Sequence, residues 1–391
     1  MVENSVESHQ YQVVVVGSGP AGSVAAGELA KNGVSVLLVD GQPFPRDKTC
    51  GDGVPNGAHT IFESIPDLNK EIDGRFRQVD HILIGSPNGG EIRTELGGKN
   101  YVIPRLLLDD MIRNSAIQAG SEILTARVTD LIFDKGQVVG IKAENVGQTF
   151  EIESQLVIGA DGATSTIARK LGVPKHPDNQ SAVAVRAYLH GIEGNAFEFY
   201  LFNELQGYGW GFPVSNKNLN NVWNVGIGMR TDEFKKKGKK LEDMLGDFIN
   251  ILKRKGRLDP NYKLENVAQW QLPLAMRLQE HKIIFNGAAL VGDAARLINP
   301  LTGGGISSGV ESSAILAEVV IKLLQKNTGP ITLEQLEEYR NRILVQLGPT
   351  MRNAGLLANL VSKYPIIADV TTFIGNLPIL KQLIINQLSN L

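Results

Sequence analysis

The sequence predicts an α/β fold in which a parallel sheet with helices on both faces is interrupted by an antiparallel sheet and followed by helices. Three observations predict it: residues 11–40 hold two apolar strands around one helix, residues 181–228 are rich in aromatic and β-branched residues, and residues 288–324 return to a buried strand and a long helix. At 391 residues the chain is too long for one ordinary core, so we expect two domains.

The first strand, turn and helix carry a nucleotide-binding pattern. Residues 13–16 are a continuous apolar run, typical of a strand covered on both faces, and residues 20–31 have helical spacing. Between them Gly17, Gly19 and Gly22 form GxGxxG, which supplies a tight turn, bare backbone for a pyrophosphate and close packing of helix on strand. The helix N-terminus then offers free N–H groups to phosphates.

Later strand ends add acidic residues to this pattern. Asp40 ends the second strand, where it is placed to accept hydrogen bonds from a ribose. Residues 105–119 have helical spacing and begin with an arginine. The run LVIGADG ends in Asp161 and Gly162 and leads into a short helix.

Three glycine and acid motifs together predict FAD and not a nicotinamide nucleotide. They are GSGPAG at residues 17–22, GADGA at 159–163 and VGDAA at 291–295. A nicotinamide enzyme needs only the first motif, whereas an extended FAD needs further groups for its ribityl chain, second phosphate and isoalloxazine. Asp293 is placed to bind ribityl or phosphate oxygens, and the loop NPLTGGG brings the positive end of a helix towards the flavin pyrimidine.

The domain boundaries follow these changes of pattern. We expect an FAD-binding domain in three parts, at residues 1–75, 101–180 and 271–330, interrupted by substrate-domain strands at 76–100 and an antiparallel-sheet substrate domain at 181–270, with C-terminal helices at 331–391.

Composition argues against several other classes of protein. The net charge of −2 offers no basic excess to a nucleic-acid backbone, and the single cysteine excludes an internal disulfide and fits a reducing compartment. The six histidines form no HExxH motif, cysteines are not paired, and no GxSxG motif follows a strand, so neither a metal site nor a hydrolase is predicted. The polar first ten residues and the lack of a long apolar span predict a cytoplasmic protein.

The order of the motifs resembles the p-hydroxybenzoate-hydroxylase-like flavoproteins and, within them, the geranylgeranyl reductase family. It runs from GSGPAG through PRDKTCGDG at residues 45–53, an arginine at a helix start and GADGATS to GDAARLINPLTGGGI at 292–306. Two features narrow the resemblance to the reductases, which include menaquinone and archaeal lipid reductases. They are the PRDKTCGDG loop and the stretch YGWGFPVSNKNLNNVWNVGIG at 208–228. The resemblance covers about residues 11–325 and implies a Rossmann-like FAD-binding domain of the glutathione-reductase-2 type.

Carried over by position, the resemblance implies a set of residues around the FAD. Arg105 is assigned to the phosphate and ribityl region, and the strand carrying Val128 offers backbone to the adenine. Arg296 departs from the small residue expected after GDAA, which puts the open space beside the ribityl chain in question. The implied cofactor-binding residues are Gly17, Gly19, Pro20, Ala21, Gly22, Asp40, Arg46, Cys50, Gly51, Arg105, Val128, Asp161, Gly162, Gly292, Asp293, Pro300, Gly303, Gly304, Gly305 and Ile306.

The resemblance also places Cys50 beside the isoalloxazine. Glycines on its C-terminal side let backbone N–H groups approach a ring, and Lys48 is expected to favour the thiolate. Three roles stay open for the thiol: it donates a proton, it shapes the cavity, or it is an inert small side chain. The implied catalytic residues are Cys50, Tyr208 and Trp210.

Tyr208, Trp210 and Phe212 alternate along one strand, so their side chains share a face. Such spacing alone is more typical of ordinary core, but the resemblance makes these three residues the substrate-contacting wall of an apolar tunnel beside the flavin. The stretch FEFYLF at 197–202 has apolar side chains on both faces, so it either lines the same tunnel or joins sheet to helix.

The reaction implied by the resemblance is saturation of isolated C=C bonds in a prenyl lipid or prenyl diphosphate. An unactivated alkene needs a proton at its less substituted carbon and a hydride from reduced flavin at the tertiary centre. No second GxGxxG follows a strand, so the electrons are expected from transiently docked NADPH, a ferredoxin-like protein or a quinol.

Several alternatives stay open. A monooxygenase or halogenase of the same fold would use oxygen, and halogenases carry a W-x-W-x-I-P stretch where this chain has YGWGFP. A prenyl-binding carrier would hold no flavin. The lysine-rich stretch at 235–240 is either a solvated loop or a surface for an acidic donor or headgroups, and the apolar segment at 377–391 either packs on the protein or lies peripherally on a membrane.

Overall fold

The computed structural model describes residues 7–363, apart from residues 64, 66, 87–89, 193, 203–206, 215, 218–220, 327 and 328. The strands are β1 (Glu7–Val16), β2 (Val36–Asp40), β3 (Gly53–Val54), β4 (His81–Gly85), β5 (Glu91–Glu95), β6 (Tyr101–Val102), β7 (Glu122–Thr125), β8 (Arg127–Asp134), β9 (Gln137–Asn145), β10 (Gln148–Gly159), β11 (Ser181–His190), β12 (Ala196–Leu201), β13 (Gly207–Pro213), β14 (Val222–Arg230), β15 (Lys263–Pro273), β16 (Ile284–Phe285) and β17 (Ala288–Leu290). The helices are α1 (Pro20–Lys31), α2 (Asn56–Phe62), α3 (Leu68–Arg75), α4 (Arg105–Gln118), α5 (Thr166–Lys170), α6 (Thr231–Lys237), α7 (Leu241–Arg254), α8 (Ile306–Leu324), α9 (Leu333–Gln346) and α10 (Gly348–Lys363).

The first sheet has eight strands and places the predicted glycine and acid motifs at one edge. Strand β1 lies between β10 and β2 and pairs in parallel with both, and β10 also pairs in parallel with β17. Residues 13–16 are at most 4% exposed, which confirms the buried strand predicted from the apolar run. Parallel strands open their carboxyl ends at the same edge, so Gly17, Asp40, Asp161 and Asp293 follow neighbouring strand ends.

Helix α1 begins and ends where the sequence predicts. Pro20 is its first residue, where a missing N–H costs nothing, and Gly33 with φ +79° follows its C-terminal cap. Helix α1 packs against α4 and α8. Its N-terminus therefore points from the end of β1 into the same edge of the sheet as the other motifs.

The second sheet has seven strands in the order β15-β11-β14-β13-β12-β4-β5. Its pairings are antiparallel except β4 with β12, which is parallel. The strands within residues 181–270 pair antiparallel with one another, as the sequence predicts, and the parallel neighbour β4 joins them from the earlier segment 76–100.

One face of the second sheet packs on helix α7 and the other faces the first sheet. Glycines alternate with the aromatic residues along β13, and a Cβ at Gly209 would stand 2.8 Å from the ring of Phe248 on α7. The bare face of β13 thus admits the helix, while its aromatic face points the other way. The stretch at 197–202 serves both faces, since Phe197 packs with Phe212 whereas Tyr200 packs with α7.

Helices α9 and α10 extend the chain beyond α8. Thr332 caps α9, accepting from the backbone N–H of Gln335 while the Gln335 side chain accepts from the Thr332 N–H. Within the described residues no helix has the length and apolar character needed to cross a bilayer. The apolar segment at 377–391 and the turns expected near Pro365 and Pro378 lie outside the described residues.

Candidate active site

A cavity of about 590 Å³ lies between the two sheets. Strand ends of the first sheet and the N-termini of α1 and α8 form one side of it, and the aromatic face of the second sheet forms the other. The loop of residues 46–53 runs between the two sides. Polar backbone and apolar rings therefore face the same enclosed space.

The glycine motif after β1 builds a backbone cradle on the first side. Gly17 has φ +104°, and a Cβ there would overlap the carbonyl of Ala160. Gly19 is the N-cap of α1, so no capping side chain accepts from the N–H groups of the first turn, and that turn holds no acidic residue. The N–H groups at this end of α1 thus face the cavity without a protein acceptor from a capping side chain.

A second uncapped helix enters the cavity at α8. Gly305 precedes α8, no side chain caps it, and its first turn holds no acidic residue. Gly303 adopts φ +68°, and a Cβ on Gly305 would stand 3.0 Å from a carboxylate oxygen of Asp293. The loop before α8 is thus bare backbone beside a carboxylate, as the sequence predicts.

Charged side chains line the end of the cavity beside β2. Asp40 accepts from the backbone N–H of Ser18 at 2.7 Å and lies 3.6 Å from Arg46. Arg105 donates to Asp109 through Nε at 2.5 Å and Nη2 at 2.7 Å. Arg105 lines the cavity, but its charge is balanced by Asp109 inside the protein. Sequence reasoning did not identify this partner.

Asp161 sits at the end of β10, where it caps α5. It accepts from the backbone N–H groups of Thr166 and Ile167 at 2.6 and 3.1 Å and from the Ser165 hydroxyl at 2.5 Å. Burial raises its pKa, and these hydrogen bonds act in the opposite direction. Its carboxyl group therefore stabilises the turn around Gly162 as well as lining the cavity.

The aromatic face of β13 and β12 forms the opposite wall. The ring centroids of Phe197 and Phe212 are 5.0 Å apart, and those of Phe199 and Tyr208 are 5.5 Å apart. The Tyr208 hydroxyl donates to the carbonyl of Thr302, which ties this wall to the loop before α8. The aromatic stripe is therefore cavity wall and not only core.

Cys50 lies in the loop between the two sides. A Cβ on Gly51 would stand 3.1 Å from the ring of Phe212, so glycine lets the loop run this close to the wall without displacing the ring. Burial raises the pKa of the Cys50 thiol, while the guanidinium of Arg105 acts in the opposite direction. The thiol is thus held in its neutral form beside a cation.

The charge of Lys48 acts to lower the pKa of the Cys50 thiol, the direction expected from the sequence, but it is too weak to produce a thiolate. Its ammonium lies 3.3 Å from Asp293 and 5.9 Å from the ring centroid of Trp270, so its charge is largely engaged elsewhere. Its effect on the Cys50 thiol is outweighed by burial.

The structure brings most of the predicted cofactor-binding residues together around the cavity, with two exceptions. Gly22 lies behind the cradle against Gly17, and Pro300 lies near Gly355. Arg296 reaches away from the cavity and donates to the carbonyl of Pro174, so it leaves the cavity open. The predicted residues that line the cavity are Gly17, Gly19, Pro20, Ala21, Asp40, Arg46, Cys50, Gly51, Arg105, Val128, Asp161, Gly162, Tyr208, Trp210, Phe212, Gly292, Asp293, Gly303, Gly304, Gly305 and Ile306.

Sequence reasoning missed a buried polar network directly behind Cys50. Asp52 accepts from the Tyr188 hydroxyl at 2.6 Å and from Asn224 Nδ2 at 2.8 Å. Asn224 also donates to the carbonyl of Cys50 at 2.7 Å and accepts from Trp210 Nε1 at 2.9 Å. The acidic residue after the cysteine was visible in PRDKTCGDG, but its partners lie 136 and 172 residues away, which no local motif reveals.

Comparison with known proteins adds the following findings. The family model described as an FAD binding domain matches residues 10–348. A digeranylgeranylglycerophospholipid reductase of Methanococcoides burtonii is 33% identical over 357 residues, which cover 88% of this chain and 82% of that protein.

Two solved structures share the fold. A geranylgeranyl bacteriochlorophyll reductase-like protein of Thermoplasma acidophilum has a TM-score of 0.77 at 22% identity, covering 97% of this chain and 100% of its own. A flavin-dependent brominase has a TM-score of 0.80 at 21% identity, covering 97% and 94%. At these identities the two structures establish the architecture alone.

Proposed function

This chain belongs to the FAD-binding-domain family, and from that premise we propose that it is an FAD-dependent oxidoreductase that saturates isolated C=C bonds of a prenyl chain. The observation that carries the proposal is a continuous cavity that joins a dinucleotide cradle to an aromatic wall, with the Cys50 loop between them. The names of its relatives support a prenyl lipid as substrate, since the curated relative is a reductase of a digeranylgeranyl lipid.

The residues present fit an FAD. Two uncapped helix N-termini offer N–H groups to phosphate and to a reduced ring, and a Cβ on Gly19 would stand 3.9 Å from the nearest nitrogens of Arg46 and Arg105, so the backbone is open between two cations. Asp40 would hold the adenosine ribose and Asp293 the ribityl side, with Arg46 and Arg105 near the phosphates.

The aromatic wall fits an apolar chain. Phe197, Phe199 and Phe212 line the cavity together with the aliphatic residues Ile82 and Leu272. Apolar side chains keep water from the reacting alkene and hold it by burial of its own surface. Aromatic faces also stabilise positive charge that develops at a tertiary carbon during protonation.

When bound and reduced, FAD supplies the hydride. We propose that the Cys50 thiol supplies the proton: its S–H bond breaks as a C–H bond forms at the less substituted alkene carbon. The thiolate left behind lies beside Arg105, which stabilises the negative charge until the sulfur regains a proton from solvent. Tyr208 and Trp210 hold the alkene against the loop.

The electron donor is proposed to be NADPH or a ferredoxin-like protein that docks transiently, in a cytoplasmic setting. The lysine-rich stretch offers little support for a docking surface. Lys235 pairs with Asp178, Lys236 with Glu233 and Lys239 with Asp247, so three of its ammonium groups already face carboxylates.

Replacing Cys50 with alanine is expected to keep the flavin content and to slow prenyl reduction about 100-fold, the scale of a lost general acid. Cys50→Ser is the matched control for shape, because a hydroxyl has similar size but holds its proton more tightly. Turnover is followed by product mass. If the serine variant works at the wild-type rate, Cys50 only shapes the cavity and the proton comes from elsewhere.

The function itself is tested by reducing the purified holoprotein with dithionite under argon and incubating it with prenyl lipids. We expect products heavier by two hydrogens for each bond reduced. A reaction that stops without oxygen would indicate a monooxygenase or halogenase instead, the alternative suggested by the brominase fold. A colourless protein that takes up no FAD would indicate a prenyl-binding carrier.

A further inference from the structure

Asp52 is fully buried two residues after Cys50 and takes part in none of the steps proposed above. Its backbone is left-handed, with φ 63°, and its carbonyl accepts from the N–H of Ile103 at 2.9 Å, which anchors it to β6 and the start of α4. One carboxylate oxygen accepts hydrogen bonds from the Tyr188 hydroxyl and from Asn224 Nδ2. The other faces the backbone N–H of Arg105 at 3.3 Å. Every neighbour within this set is a donor, which matches an ionised carboxylate.

Asn224 can adopt only one orientation in this network. Its amide nitrogen donates to Asp52 and to the carbonyl of Cys50, and its oxygen accepts from Trp210 Nε1. A flipped amide would oppose its oxygen to two acceptors and its N–H₂ group to the indole N–H. One buried amide thus connects the Cys50 loop to the aromatic wall, and the carboxylate of Asp52 holds that amide in place.

We propose that Asp52 is a positioning residue, whose buried carboxylate fixes the Cys50 loop against Trp210 through Asn224 and places a negative charge behind the Cys50 thiol. The kinetic part of this inference rests on the proposed function, whereas the effect on the thiol does not.

The charged and titratable groups that face Asp52 come from two elements. Arg186 and Tyr188 face it from β11, and Arg105 faces it from α4; Arg186 in turn pairs with Asp47. Burial raises the pKa of Asp52 to about 6, although the hydrogen bonds from Tyr188 and Asn224 and the charge of Arg186 act to lower it. Burial is the main cause that raises the pKa of the Cys50 thiol, and the negative charge of Asp52 acts in the same direction.

Protonation of Asp52 would turn the oxygen that faces the Arg105 backbone N–H into an O–H donor, so the contacts seen here favour the ionised form. We therefore expect prenyl reduction to fall as the pH drops through about 6. The same reasoning predicts that loss of the Tyr188 hydroxyl moves this fall to higher pH, because the carboxylate loses a hydrogen bond that favours its charge.

Asp52→Asn tests the charge with little risk to folding, because asparagine adopts left-handed backbone as readily as aspartate. The amide oxygen of the asparagine can accept from Tyr188 and Asn224, while its N–H₂ group must face the Arg105 N–H, as the O–H of a protonated carboxyl would.

Glu198→Gln is the matched control. Glu198 is a buried carboxylate on β12 that accepts from Tyr200 and Arg257, and burial raises its pKa. It differs from Asp52 in that it packs on the α7 side of the sheet.

The first experiment measures iodoacetamide labelling of the holoprotein against pH by mass spectrometry. Cys50 is the chain's single cysteine, so every label reports on it. We expect Asp52→Asn to shift the labelling profile to lower pH and Glu198→Gln to leave it unchanged. Superimposable profiles for Asp52→Asn and wild type, or an equal shift in Glu198→Gln, would overturn the proposal.

The second experiment measures prenyl reduction against pH. We expect Asp52→Asn to lose about tenfold at neutral pH and to lose the fall near pH 6, while Tyr188→Phe moves that fall to higher pH. A uniform loss with an unchanged pH profile in both variants would show a merely structural residue and overturn the positioning assignment. If even the wild type reduces no prenyl lipid, the proposed function fails, and the labelling result alone decides whether Asp52 controls the thiol.

Discussion

Replacing Gly22 with alanine is expected to abolish FAD binding. A Cβ at this position would overlap the carbonyl oxygen of Gly17 and stand 3.0 Å from its carbonyl carbon and 3.1 Å from the Cβ of Ala160. Gly17 cannot yield, because its own N–H donates to the Val39 carbonyl at 2.7 Å and its left-handed backbone packs on Ala160. In the Gly22→Ala variant helix α1 must therefore move away from β1, and the backbone around Gly17 no longer holds the geometry that the FAD phosphates need.

The measurement is the ratio of flavin to protein after purification and after incubation with added FAD. Gly246→Ala on α7 is the matched control, since no atom lies within 4 Å of its added Cβ. That variant is expected to bind flavin normally and to gain about 0.5–1 kcal/mol of stability from helix propensity. A full complement of flavin in the Gly22→Ala protein would show that helix α1 does not need to touch the cradle so closely.

Replacing Arg105 with methionine is expected to lower the free energy of unfolding by about 3–5 kcal/mol. Asp109 is 0% exposed and receives two hydrogen bonds from Arg105, leaving only Arg46 at 3.3 Å as a further cation. Removing Arg105 takes two hydrogen bonds from a carboxylate in the protein interior, and the single contact with Arg46 does not replace them. Denaturant unfolding of the flavin-free protein measures the loss.

Two further variants separate this effect from simple loss of a charge. The double variant Arg105→Met with Asp109→Leu is expected to recover most of the stability, because no buried charge remains unpaired. Arg342→Met breaks a partly exposed pair with Glu318 at 2.7 Å and is expected to cost about 0–1 kcal/mol. If Arg105→Met and Arg342→Met lower the free energy of unfolding equally, the assignment of Arg105 and Asp109 as a buried pair is contradicted.

The cradle for the phosphates could be predicted from sequence because its determinants are local. Gly17 and Gly19 lie within one turn between β1 and α1, and apolar runs identify the strands on which that turn depends. Asp40 and Asp293 follow strand ends, and a parallel sheet brings such ends together whatever the loops between them do. Local pattern and sheet geometry were thus sufficient for this half of the site.

The surroundings of Cys50 could not be predicted in the same way. Lys48 is close to Cys50 in sequence and acts on the thiol in the expected direction, but its ion-pair partner Asp293 lies 245 residues further along. Tyr188 and Asn224 stand on two strands of the second sheet and look like ordinary strand residues. Only the packing of that sheet on the Cys50 loop shows that they surround a buried carboxylate.

The assignment of the aromatic stripe lies between these cases. Alternation along β13 predicts that Tyr208, Trp210 and Phe212 share a face, but alternation does not tell which face meets a cavity. The glycines between them decide this, because Gly209 and Gly211 leave room for Phe248 and Trp223 on the other face. Aromatic residues that alternate with glycine thus predict which face of the strand packs on the neighbouring helix and which face is left for the cavity.

Prenyl reduction by this protein requires that reduced FAD is reoxidised by transfer of its hydride to a prenyl double bond. The most direct measurement is a single turnover without oxygen, in which holoprotein reduced by one equivalent of dithionite meets excess prenyl lipid. The account predicts that the visible absorbance of oxidised flavin returns and that one saturated bond appears for each flavin oxidised. A flavin that stays reduced beside unchanged lipid, and is oxidised only when air is admitted, would contradict it.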